Sequence, residues 1–99
     1  MNPSEIIPDR FSQLSDSLEA HPSKAQILIQ LDSQADALQK VIDLLNSMGV
    51  HHVEHTVLSE EGPVCILLYM PEIDISEPVI NLIEAGYVKV KGVNAKKRN

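Results

Sequence analysis

The chain has 99 residues, with fourteen acidic and eight basic side chains and a formal net charge of −6. Hydrophobic residues make up 43% of it and aromatic ones only 3%, a length and composition that fit one domain with an aliphatic core and exclude a disordered chain, a collagen and a disulfide scaffold. Net acidity repels phosphate backbones and three rings are too few for base stacking, so nucleic acid is not expected as a partner.

The opening MNPSEIIPDR places two acids and two prolines where a secretory leader needs a positive end and an apolar run. Residues 1–22 read as an extension punctuated by Pro3, Pro8 and Pro22. They hold one helical candidate, Asp9 to Ala20, with Asp9 as cap and Phe11, Leu14 and Leu18 on one face. Lys24 to Leu31 then alternates Ala25, Ile27, Ile29 and Leu31 with Gln26, Leu28 and Gln30, the period of a strand. Ser33 and Asp36 have the spacing of a capping box, and Leu38, Val41, Ile42, Leu45 and Met48 form the apolar stripe of a helix closed by Gly49.

Val50 to Leu58, rich in β-branched residues and histidine, predicts a second strand, and residues 59–63 a turn. Val64 to Met70 is apolar at every position, as in a strand covered on both faces, and Pro71 ends it. Ser76 is the expected cap of a helix with Glu77 and Pro78 in its first turn, the stripe Val79, Leu82 and Ile83, and Gly86 at its end. Tyr87 to Val93 predicts an edge strand with Val88 and Val90 inward and Lys89 and Lys91 outward.

That order predicts an α+β, ferredoxin-like βαββαβ sandwich: a four-stranded antiparallel sheet in the order 4-1-3-2 with two helices on one face. The domain spans residues 23–94, and residues 95–99 form a basic tail. Two helices cover one sheet face only. Leu28, Cys65, Leu67 and Tyr69, or the alternate set, then need another cover, either the Phe11–Leu14–Leu18 helix or a second subunit.

The stretch ADALQKVIDLLNSMGVHHVEH resembles the first helix and second strand of ACT domains, and NLIEAGYVKV resembles their closing helix and strand. The resemblance implies a non-catalytic, dimerising regulatory module that senses a small effector, often an amino acid. It places the ligand near the loop after the first strand, at Asp32, Ser33 and Asp36, with the His51–His52 end facing it. The first helical turn offers donors to an anionic group. A homodimer through the sheet is the expected assembly.

Two other readings rest on the residues. The segment HHVEH, with His51, His52, Glu54 and His55, offers imidazole and carboxylate of the kind that suits zinc or nickel in a metal-responsive domain. The amphipathic N-terminal helix or the basic C-terminus suits a protein-interaction adaptor. No enzyme is expected: Cys65 and Ser59 lie near histidines but in no nucleophile elbow, and the four glycines are scattered rather than gathered into a phosphate loop. No cofactor and no membrane span are expected. The single cysteine and the absent leader point to a soluble cytoplasmic protein.

Overall fold

A computed structural model of the chain describes residues 10–31, 36–60, 64–71 and 74–96. The elements follow in the order α1 (Arg10–Ser17), β1 (Ala25–Leu31), α2 (Ala37–Ser47), β2 (Glu54–Ser59), β3 (Val64–Met70), α3 (Ser76–Glu84) and β4 (Val90–Val93). The four strands form one antiparallel sheet in the order β2-β3-β1-β4, which from the other edge reads 4-1-3-2. The two wholly apolar strands, β1 and β3, lie in the centre, where both of their faces can be covered.

Register assigns each side chain to a face. Ile27 pairs with Leu68 and Gly92, and Ile29 with Ile66 and Val90. With Ala25, Leu31 and Met70 these residues pack against Val41 and Leu45 of α2 and Leu82 of α3, forming the main core. Alternation sends Gln26, Leu28, Cys65, Leu67 and Tyr69 to the opposite face. Leu28, Cys65 and Leu67 are buried there as well, yet they stand apart from the main core.

The cover of this second face comes from the chain's own N-terminus. α1 packs on β1 with Phe11, Leu14 and Leu18 half-buried. Lys91 Nζ donates to the Ser15 carbonyl at 3.2 Å, and Gln26 Nε2 donates to the Glu19 carbonyl at 2.7 Å. The second of these bonds satisfies the one buried polar side chain among the described residues.

Both core helices end in the same way. Past α2, Gly49 takes φ 87°, its N–H donates to the Asn46 carbonyl, and Val50 N–H donates to the Leu45 carbonyl. Past α3, Gly86 takes φ 110°, with Gly86 N–H on Ile83 and Tyr87 N–H on Leu82. Each is a Schellman motif, in which glycine occupies the left-handed position and the next residue folds back onto the helix. Val50 and Tyr87 are those next residues, and both join the core.

Four expectations are corrected. α3 is not capped by Ser76, which is already helical; the Asp74 carboxylate accepts from both Ser76 N–H (2.9 Å) and Ser76 Oγ (2.7 Å). Asp36 stands at the N-terminal boundary of α2 rather than in its first turn, and its side chain makes no capping bond, while Ser33 lies outside the described residues. β2 begins at Glu54, four residues later than expected, because His52 takes φ 60° and breaks the extended run. β4 begins at Val90, so Val88 lies outside the strand and is 87% exposed rather than inward.

Candidate functional site

Of the expected ligand residues, the described ones fall in two groups at opposite ends of α2. Asp32 and Ser33 lie outside the described residues. Asp36 stands before α2, and His51 and His52 follow its end. α2 has eleven residues, which at 1.5 Å per residue separate the two groups by about 16 Å. His51 and His52 lie instead at the end of the sheet where β1 begins.

At that end the sheet register gathers a different set. Glu54 pairs with Tyr69, and Tyr69 pairs with Gln26, the second residue of β1. This brings Lys24 to Glu54, with Nζ 2.6 Å from Oε1. Lys24, His52, Val53, Glu54 and Pro71 line an open cleft of about 350 Å³. A cation and an anion side by side on one wall suit a ligand that carries both charges. The ion pair is exposed, and exposed pairs contribute little to stability, so a ligand can open it at small cost.

His52 closes one side of the cleft in a backbone conformation that non-glycine residues rarely adopt. Such conformations persist where the surroundings enforce them, and they concentrate at binding sites. Behind the cleft, His21 acts as a knot. Its Nδ1 accepts from the N–H groups of Ser23 (3.0 Å) and Lys24 (3.1 Å), which places the ring proton of the neutral form on Nε2. Its carbonyl accepts from Lys96 N–H at 2.9 Å, and its ring meets Tyr69 edge-on with centroids 6.3 Å apart. His21 thus fixes the approach to β1 that carries Lys24.

Sequence reasoning passed over His21, Lys24 and Tyr69. No local pattern marks them as a site, since Tyr69 and Glu54 reach His21 and Lys24 only through the β1–β3–β2 register. The lone signal was the period-two run beginning at Lys24, which places a lysine at the mouth of a central strand.

The hydrogen bond from Lys24, together with its charge, holds the Glu54 carboxyl below the ordinary glutamate range. A carboxyl lowered on folding stabilises the fold above its unfolded value, and that contribution is lost as pH falls through the folded one. In an NMR titration the Glu54 carboxyl carbon should therefore show a midpoint below that of an unperturbed glutamate, and Lys24→Ala should return it to the ordinary range. A midpoint that does not move on Lys24→Ala would remove the pair from the site.

Alternation puts His55 on the face opposite Glu54, and among the described residues no group of three or more His, Cys, Asp or Glu is placed to hold a metal ion. No helix among the described residues is long and apolar enough to cross a membrane. No protein-family model matches the chain, and no curated protein matches it.

Proposed function

We propose that this chain is a non-catalytic, ACT-like regulatory module of ferredoxin-like architecture, which senses a small effector carrying both charges and acts as a homodimer through its sheet. The observation that carries the reading is the Lys24–His52–Glu54 cleft, which opens where β2 begins at the rim of the sheet. β2 is an edge strand with every residue from Glu54 to Leu58 exposed, including Val57 at 43% and Leu58 at 37%. The register of β2 against β3 shifts between Val57 and Ser59, but the strand carries no lysine and its apolar Val57 and Leu58 are exposed, so it offers a surface to which a second strand can add. A ligand in the cleft then adjoins the pairing edge, so that occupancy and assembly influence one another.

A thermal-shift screen of amino acids, nucleotides and divalent cations tests the sensing role. A zwitterionic amino acid should raise the melting temperature saturably, and the Lys24→Ala, Glu54→Gln double variant should lose that rise. No shift from any of the three classes would overturn the sensing role. A shift from a divalent cation alone, abolished by replacing His51 and His52 with alanine, would transfer the function to metal sensing. Light scattering behind size exclusion at tens of micromolar should show twice the 10.9 kDa chain mass. Val57→Lys, which guards the edge with charge, should return the monomer, and a strict monomer in the unmodified protein would remove the dimer.

A further inference from the structure

We propose that His21 is a pH-operated latch: its neutral ring fastens the approach to β1, and protonation of that ring releases Ser23 and Lys24. The turn is built on a single nitrogen. His21 Nδ1 accepts from the N–H groups two and three residues on, Ser23 at 3.0 Å and Lys24 at 3.1 Å. Pro22, between them, has a fixed φ and no N–H of its own to compete.

Asparagine, aspartate and serine ordinarily make a turn of this kind, with a side-chain oxygen that remains an acceptor near neutral pH. An imidazole nitrogen does not remain one. It accepts through a single lone pair, and protonation converts it to a donor in the range from about pH 5 to about pH 8. The new N–H would then face the N–H groups of Ser23 and Lys24 with no acceptor between them, so the ring must turn or the chain must move.

A second state is at hand. Ser23 Oγ lies 3.4 Å from the same Nδ1, and a hydroxyl accepts as well as donates. The protonated ring can therefore exchange its two backbone donors for that oxygen. Other titratable groups surround the turn without replacing the lost acceptor. Lys24 and Lys96, the latter bonded through its N–H to the His21 carbonyl, have donor side chains only. Tyr69 of β3 meets the ring edge-on, the Glu54 carboxylate of β2 is held by Lys24, and His52 lines the cleft beyond that pair.

Release at His21 reaches two places. Lys24 loses the fixed backbone from which its ammonium group spans to Glu54, and the segment after β4 loses the anchor that Lys96 finds on the His21 carbonyl. Resting on the sensing role proposed above, one consequence is that acidification weakens effector binding, because Lys24 is no longer positioned in the cleft. The latch itself needs no effector.

Backbone amide exchange in the full chain, with each rate normalised to its intrinsic value at that pH, reads the latch with no effector present. Protection of the Ser23 and Lys24 amides should fall by roughly tenfold between about pH 8 and about pH 5, while amides paired between β1 and β3 keep theirs. His21→Asn presents an oxygen at the same place in the side chain and does not titrate, so its protection should persist across the range. His21→Ala should lack that protection throughout, and His21→Asn carries the decision should His21→Ala fail to fold. Unchanged protection in the unmodified chain while the His21 ring signal titrates would overturn the latch. An equal acid loss in His21→Asn would overturn it too, since the loss would then arise elsewhere, as at His52 or Glu54. A latch that responds in a chain that binds no amino acid would leave this inference standing and remove the sensing role alone.

Discussion

Leu68→Ala should lower the unfolding free energy by about 3 kcal/mol, within the roughly 2–5 kcal/mol range for a leucine truncated in a packed core. Leu68 is fully buried in β3, pairs with the equally buried Ile27, and belongs to the cluster that includes Leu45 and Leu82. The sheet and the two helices α2 and α3 close around this point, so no element can readily move in to fill the gap. For a domain of this size the loss corresponds to a fall in melting temperature of more than about 10 °C. Leu67→Ala, one residue away on the other face, should cost clearly less, because the cover above it is α1, which has no fully buried residue and can settle into the space. Chemical denaturation of the two variants side by side measures the difference. An equal or larger loss at Leu67 would mean that α1 is as firmly packed as α2 and α3.

The second large effect is expected at Gly92. A Cβ there would meet the Ile75 Cδ1 and would lie 2.6 Å from the Val79 Cγ2. Ile75 is buried and Val79 is packed against the core, so neither can swing freely aside. β4 and α3 approach this closely only because residue 92 has no side chain. Gly92→Ala should therefore destabilise by about 2 kcal/mol, the scale of overpacking in a filled core. The diagnostic is non-additivity. Ile75→Val with Val79→Ala removes both methyl groups that the new Cβ would meet, so adding that pair to Gly92→Ala should recover part of the loss instead of summing with it. Simple additivity of the two in a denaturation cycle would refute the close approach.

The parts of the fold that were legible in the sequence are those governed by local periodicity. β1 and β3 emerge within a residue of their expected bounds because long aliphatic runs with β-branched residues suit a central strand. Gly49 and Gly86 end their helices as expected, since few residues other than glycine tolerate the left-handed position. β2 was misjudged at its start because His51–His52–Val53 has strand-like composition, while the chain leaving the Schellman motif must turn at His52 before it can pair. Val88 failed for a related reason: its alternation with Val90 is real in the sequence, but pairing with β1 is registered only from Val90 onward. The choice between α1 and a second subunit as cover was posed by the composition and decided by packing. The site was least legible, because Lys24 and Glu54 are thirty residues apart in the chain and a pattern of spacing does not see a sheet register.

The two rims of the sheet differ in a way that bears on how far assembly can proceed. β2 is six residues long and carries no lysine or arginine, whereas β4 is four residues long, carries Lys91 and follows Lys89. In the language of polymer chemistry, a molecule that pairs through β2 as proposed would be monofunctional, with one reactive end. Coupling β2 to β2 about a two-fold axis consumes the reactive ends of both copies and leaves lysine-bearing ends outside, so growth terminates after a single step. In the proposed dimer, the same asymmetry would therefore work against a fibre.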